Sequence, residues 1–477
     1  MNQDGWLANV REYGAAGNGI TDDTAAIQQA VDSRTGLVFF PQGDYKISRT
    51  IEVGLAEKGK TVLRGAGARL VHHGEGPALR FTGTHLASAS PDGLTDQVSD
   101  RELRPTLTEI EIMGAHETAD GVRLERTHMM TFSNVLIRNC RHAIHIVGRN
   151  RNVIVSHCHI YNNRGVGIFL DDVNLHQVNI VGSHISYNAE GGIKVQHGEV
   201  RNLQITGNDI EYNNAGPESD GKDVWLVAGK GAIREGTISG NTIQALPSRR
   251  GANVWLEGLA AEGARKVGLF SITGNLITSQ TRNVVLRHCM GVTVQGNTIH
   301  SQSVLRRTLG AKARFTPEMG GERNVLVEQS ERIVISDNVF DANPDYGEWT
   351  VSGIEVRDSN TCTLSGNTLV SGYGGDGESG GTLEVRDSWG INLTGCTIVD
   401  PVVRGIAFHD VDDSRISECL ILERRQERSM HHGMLITGGK GNLITSNRVD
   451  PGSEGAVSVG GKNSLVANNH VGDGETD

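Results

Sequence analysis

Short runs in which apolar and polar residues alternate return along most of this chain. One set reads GVRLE (121–125), AIHIV (143–147), GIFLD (167–171), GIKVQ (192–196), DVWLV (223–227), NVWLE (253–257), NVVLR (283–287), NVLVE (324–328), GIEVR (353–357), TLEVR (382–386), GIAFH (405–409) and GMLIT (433–437). Positions two and four are almost always apolar; three and five are mixed and often polar. A period of two over so few residues marks a strand with one face in a core and the other in solvent. Roughly halfway between these runs a second set recurs, as SGNTIQ, TGNLIT, QGNTIH, SDNVFD, SGNTLV and TSNRVD.

Aligned on its turn residue, the second set falls at Asn134, Cys158, Ser183, Asn208, Asn241, Asn275, Asn297, Asn338, Asn367, Cys396, Cys419, Asn447 and Asn469. The shortest intervals, 22 to 25 residues, suit one turn of a three-stranded coil, and longer ones are the same unit carrying an inserted loop. No single coil can bury its apolar face, but stacked coils bury a continuous column. Asn at one turn of coil after coil tolerates left-handed backbone and can bond to the amides above and below. The pattern therefore predicts an all-β chain, a single-stranded right-handed parallel β-helix of about 12 coils with three short strands per coil and an asparagine ladder. Cys158, Cys396 and Cys419 occupy ladder positions as buried thiols, and adjacent coils ~4.8 Å apart would also permit a Cys396–Cys419 disulfide.

The N-terminus differs. In YGAAGNGITDDTAAIQQAVD (13–32), Gly14, Gly17 and Gly19 predict a tight turn. Thr21 is the expected N-cap of a helix at about 22–32, with Asp22 and Asp23 in its first turn and Ala26, Ile27, Ala30 and Val31 as its apolar stripe. This helix is expected to lid the open end of the column. The organisation expected is an N-terminal cap over 1–60 continuous with a β-helix over 61–477, one structural domain overall. The stretch from Asn9 to Ser48, including GLVFFPQGDYKI, resembles the N-terminal signature of the pectate-lyase-like superfamily, which includes polygalacturonases, alginate epimerases, inulin fructotransferases and phage tailspikes. The resemblance supports the fold without naming a reaction.

Composition narrows the function. A formal net charge of −11 over 477 residues argues against a general nucleic-acid binder. No apolar run is long enough for a transmembrane helix, so no membrane role is expected. No signal peptide is visible at Met1; a secreted or periplasmic destination is expected, with the cytoplasm left open. The six cysteines form no CxxC pair, so no metal site is expected from them. GLAEKGKT (54–61) has P-loop spacing and GESGG (377–381) has GxSxG spacing, but neither has the strand-to-helix context its chemistry needs. GYGGDG (372–377) has dinucleotide-loop spacing and likewise lacks a following helix.

The long insertions all precede the GIxVx runs: 211–222, 244–252, 300–323, 341–352 and 371–381. They should wall one edge of the GIxVx face, which the resemblance makes the expected polysaccharide groove. Outward residues there are the candidates. Trp225 and Trp255 are expected side by side as a solvent-facing sugar platform, or else covered by loops or a neighbouring subunit. Asp171 and Asp172, with His197 one coil later, resemble part of the polygalacturonase order, which implies acid, base and orienting roles; the NTD and RIK that flank that order in the family are missing. Asp223 and Glu257 flank the tryptophans as further candidate acids. Glu355 and Glu384, followed by Arg357 and Arg386, form either a cross-coil salt-bridge ladder or a retaining pair with an arginine clamp. Lys194 and Arg287 complete the substrate-binding candidates, and with Arg357 and Arg386 would serve a uronate lyase.

No cofactor is expected, and calcium only for a lyase, with Asp341, Asp345, Asp376 and Glu378 as loop ligands; the epimerase-type DPHE motif is absent. The basic segment 304–323 is expected to be a solvated loop, a cover for an anionic chain or a subunit contact. The leading expectation is a glycoside hydrolase or transglycosylase, such as a fructotransferase, working on a polysaccharide or oligosaccharide by paired carboxylates. A uronate lyase or epimerase and a non-catalytic glycan-binding or tailspike-like β-helix are the alternatives. A homotrimer is compatible with the fructotransferase resemblance.

Overall fold

The computed structural model describes residues 7–33, 36–87, 90–229, 231–258, 267–280, 282–300, 323–340, 353–370, 380–426 and 428–472. They form two compact units, Met1–Ala215 with Gly221–Thr237, and Gly216–Asp220 with Ile238–Asp477.

Each unit is a pile of coils in which a strand pairs in parallel with its counterpart one coil on. In the first unit Val122, Ile144, Ile168, Ile193 and Val224 stand in register on one sheet. Ile137, Ile160, Ile185 and Ile210 do so on a second, and Phe132, Val155, Ile180 and Ile205 on a third. All of these side chains are fully buried. In the second unit the corresponding stack runs Val254, Val284, Val325, Ile354, Leu383, Ile406 and Met434. Three apolar columns per unit make the core, and the inward register of the GIxVx runs is as the alternation predicts. This is a right-handed parallel β-helix with three strands per coil.

The predicted ladder forms, with one offset. Asn275 Nδ2 donates to Asn297 Oδ1, Asn297 to Asn338 and Asn338 to Asn367, each at 2.9 Å. Cys396, Cys419 and Cys158 sit in the row as expected, and the backbone N–H of Cys158 reaches Ser183 Oγ at 3.1 Å. Asn134 does not belong. Leu136 pairs with His159, so Val135 occupies the ladder position. Asn134 precedes it in left-handed conformation (φ 55), as His157 does one coil later (φ 54). Asn suits both positions, which is why the alignment slipped. All six cysteines are free thiols, so the Cys396–Cys419 disulfide is not made.

A second amide ladder, unforeseen, runs at another turn. In the first unit Asn163 donates to Asn188 and Asn188 to Asn213, both at 2.7 Å. In the second unit Asn324 donates to Asn283 at 2.8 Å and Asn283 to Asn253 at 2.9 Å.

The capping helix spans Thr24–Asp32 and buries Ile27, Ala30 and Val31. Its start is later than expected, and Thr21 does not cap it. Asp23 holds the N-cap position, but its carboxylate turns back to accept the backbone N–H groups of Ala16 (2.6 Å) and Gly17 (2.9 Å). Asp22 accepts from Thr24 Oγ1 at 2.5 Å and Ser48 Oγ at 2.6 Å, and these bonds hold its pKa down at about 2. Gln28 covers a strand edge by donating to Glu52 O at 3.0 Å and accepting from Glu52 N at 2.9 Å. Gly17 needs its missing side chain: it has φ 57, and a Cβ would stand 2.9 Å from both Arg11 and Tyr45. The P-loop spacing leads into the strand Val62–His72, not a helix.

Two predictions follow from these bonds. Asn297→Ala removes a group that donates to Asn338, Ile272 and Gln295 and accepts from Asn275. Orphaning those partners should cost ~2–4 kcal/mol, read as a lower urea midpoint. Asp22 has a depressed folded pKa, so its contribution is complete above the ordinary aspartate range and is lost as pH falls through about 2. Asp22→Asn should flatten the acid limb of a stability–pH curve below about pH 4.

Candidate functional site

In the first unit the outward side chains of the GIxVx strands form two columns. Arg123, His145, Phe169, Lys194 and Trp225 make one; Glu125, Val147, Asp171, Gln196 and Val227 make the other. His145 Nε2 lies 3.2 Å from Asp171 Oδ2, and its ring stacks on Phe169 at 5.3 Å and 7°. Burial lowers the basicity of His145, with the Asp171 bond opposing. A neutral ring donating from Nε2 to the carboxylate fits this geometry. His142 packs against both rings and is held at about 4 by burial.

Lys194 Nζ lies 5.5 Å from the Phe169 ring centroid and 4.1 Å from that of Trp225. Lys222, itself buried, brings a second ammonium group to 3.9 Å from Trp225. The indole expected as a bare sugar platform is therefore partly buried and engaged by two cations. Asp172 is a bulge residue: Val147 pairs with Asp171 and Gly148 with Val173. That leaves Asp172 exposed with φ 44, one residue past the His145–Asp171 pair. His197 is also exposed and left-handed (φ 62), 3.0 Å from the Gln196 amide. Asp223 is not on this face. It is 1% exposed and accepts from Asn213 N (3.2 Å) and Nδ2 (3.0 Å), at the end of the second amide ladder.

In the second unit the same face is largely covered or neutralised. Val285, Leu326 and Ala407, expected outward, are fully buried. Ala252, from the 244–252 insertion, clusters with Val285 and Leu326, and Trp255 packs against the three. Trp255 Nε1 donates to Glu257 Oε2 at 2.7 Å, and the Arg287 guanidinium lies 4.8 Å from its ring centroid. Arg287 and Arg357 each reach Glu328 at 2.6 Å, and Arg357 also meets Glu355 at 3.4 Å. Glu355 and Glu384 are in register on adjacent coils, as expected. Glu384 is held by Arg386 and by the buried Arg323, which also donates to Gly381 O. This is the cross-coil ladder of ion pairs. Glu328 and Arg323, the residues that complete it, were not among the candidates; both follow from reading position five and the loop end coil by coil.

Trp225 and Trp255 fall in different units, and neither is an open indole; among the described residues Trp389, 55% exposed, is open. The loop acids Asp341, Asp345, Asp376 and Glu378, the segment 304–322, and the GESGG and GYGGDG matches apart from Gly380 and Gly381 lie outside the described residues. A cleft of about 860 Å³ also opens in the first unit away from the GIxVx face, lined by Asn152, Gln177, Asn179, Asn202 and Gln204 among others.

Parallel coils, in-register apolar columns and amide ladders define the class, a right-handed parallel β-helix protein. The N-terminal part of the chain is similar to pectate-lyase-like proteins of this class. The model "Rhamnogalacturonase A/epimerase, pectate lyase-like" matches residues 7–91, "Right handed beta helix region" matches 78–243, and "Periplasmic copper-binding protein (NosD)" matches 234–464. Among curated relatives, mannuronan C5-epimerase AlgE4 of Azotobacter vinelandii is 41% identical over 66 residues, 12% of either chain. Alginate lyase 7 of the same organism is 41% identical over 66 residues, 12% of this chain and 8% of its own length. The similarity therefore spans a small part of these relatives. The N-terminal fragment of bacteriophage Phi29 gene product 12 is similar in structure, with a TM-score of 0.52, 14% identity, and coverage of 93% of this chain and 81% of that one; this likeness concerns the fold alone.

Arg323→Leu should cost ~3 kcal/mol by stranding a buried carboxylate partner, measured by urea unfolding, while Arg287→Leu at the partly exposed end of the ladder should cost under ~1 kcal/mol.

Proposed function

We propose that this chain acts on an acidic polysaccharide, a polyuronate, at the outward face of the first unit. The observation that carries this reading is the cationic, aromatic column: Lys194 and Lys222 against Trp225, beside the His145–Asp171 pair. A uronate carboxylate must be neutralised before its C5 proton can be removed. Ammonium groups held on and beside a rigid strand face supply that stabilisation where charge develops. Exposed His197 and Asp172 are candidate proton-transfer groups, with Lys194 as the neutralising cation. Loss of the C5 proton leads to elimination if the C4–O4 bond breaks, and to epimerisation if a proton returns to the opposite face. The matched relatives named as mannuronan epimerases and an alginate lyase support this class of substrate. An extracellular or periplasmic workplace agrees with a polymer substrate; no helix of the described residues is long and apolar enough to cross a membrane.

Glycosidic hydrolysis is the second reading, favoured by one observation. Glu125 and Asp171 face outward at the same strand position two coils apart. That is ~10 Å along the stack, near the upper end of the spacing that admits a water for inversion.

A panel of polyuronates and neutral glycans separates the two. Ultraviolet absorbance reports elimination, carbon-13 spectra of the polymer report C5 inversion, and reducing ends without absorbance report hydrolysis. Polyuronate should be turned over with absorbance or inversion, and Lys194→Met should lower kcat/KM by ~10²-fold without unfolding the protein. Turnover of neutral glycans alone, or full activity in Lys194→Met, would sink the polyuronate reading. Hydrolysis lost in Asp171→Asn and Glu125→Gln would establish the second.

A further inference from the structure

Away from the GIxVx face, on the sheet carrying His159–Tyr161, His184–Ser186 and Asp209–Glu211, the outward positions gather unlike donors. His159, His184 and Asp209 stand in register on three successive coils, and Glu211 lies two residues beyond Asp209 on the same face. His184 Nε2 is 3.3 Å from Asp209 Oδ2. One ligand atom each of His184, Asp209 and Glu211 lies within 4.8 Å of the other two. We propose that His184, Asp209 and Glu211 form a binding site for a divalent transition-metal ion, completed by water, that bridges two successive coils of the first unit.

Several observations point to a cation rather than to an ordinary polar surface. Asp209 Oδ1 is inaccessible and has no hydrogen-bond partner. Several outward carboxylates elsewhere in the fold meet arginine, as Glu111 meets Arg138 at 2.8 Å and Glu328 meets Arg357. Among the described residues no lysine or arginine pairs with Asp209 or Glu211. The His159 ring meets His184 edge-on at 5.9 Å, fixing its plane. Both rings line a cleft of about 410 Å³ that also contains His157 and Asp209, so an ion has a path in. One imidazole and two carboxylates are an N/O donor set suited to zinc, manganese or cobalt, whereas calcium takes oxygen ligands. The site is on a different sheet from the proposed polyuronate face and does not depend on that reading.

The test uses the full chain, stripped with chelator and titrated with Co²⁺ and Zn²⁺. Calorimetry should give a tight equivalent that His184→Ala and Asp209→Asn each weaken at least ~10-fold, and Co²⁺ should develop a visible absorption band in the wild type that both variants lose. Metal should also raise the melting temperature of the wild type more than that of the variants, since an ion bound only by the folded state stabilises it. His184 and Asp209 are partly exposed, so both variants should fold. Metal binding of equal stoichiometry and affinity in wild type and variants, or no binding at all, would overturn the proposal.

Discussion

Everything in this molecule follows from laying one parallel coil on the next at the spacing of hydrogen-bonded strands. The constraint is severe because it repeats. Whatever an inward position holds, its neighbours above and below must match in shape, and whatever a turn leaves unbonded is left unbonded at every coil. The apolar columns Val122–Ile144–Ile168–Ile193–Val224 and Ile137–Ile160–Ile185–Ile210 answer the first demand. The amide ladders answer the second. An asparagine side chain carries both donor and acceptor, so it can satisfy the coil on each side, and a row of them polarises along its length. Asp223 shows the rule at its limit: a carboxylate accepts from Asn213 but cannot hand a donor onward.

The same spacing organises the outside. Side chains at equivalent positions stand about one strand apart, close enough that charges in a column meet. Mutual neutralisation is then the default, and the Arg287–Glu328–Arg357–Glu355 row shows it. Such a row holds coils together and offers little unpaired charge to a substrate. The first unit departs from this default. Phe169 separates His145 from Lys194, the bulge at Asp172 turns one acid out of the column, and Lys194 and Lys222 lie over aromatic rings.

How much of this could be read from the sequence depended on whether the information was local. Strand faces were legible from alternation, and the Asn, Ser and Cys ladder from residues recurring at one phase. Asn134 was misplaced because a left-handed turn and a ladder position, one residue apart, accept the same amide. Asp223 was read as a groove acid because its strand began at the right phase; its partner Asn213 lies in the preceding coil. The burial of Val285 and Leu326 depended on Ala252 and Trp255, from a neighbouring insertion and strand. The His145–Asp171 bond joins position three of one coil to position five of the next. Alignment in register sets His145 beside Phe169 and Asp171 beside Val147, so this diagonal contact is not visible from it.

The column rule also separates ordinary surface from candidate site. A carboxylate in an outward column often acquires a compensating cation, because the neighbouring coils place a side chain at contact distance. Where arginine supplies that cation, the arrangement is complete. At Asp209 and Glu211 the neighbouring coils present imidazole and hydroxyl instead: His159 and His184 in one column, Tyr161 and Ser186 in the other. Neutral imidazole donates an electron pair as readily as it donates a proton, so it cannot serve as a fixed counter-charge to two acids. The proposed ion between coils would supply the positive charge for this column, with histidine as its ligand and not its substitute.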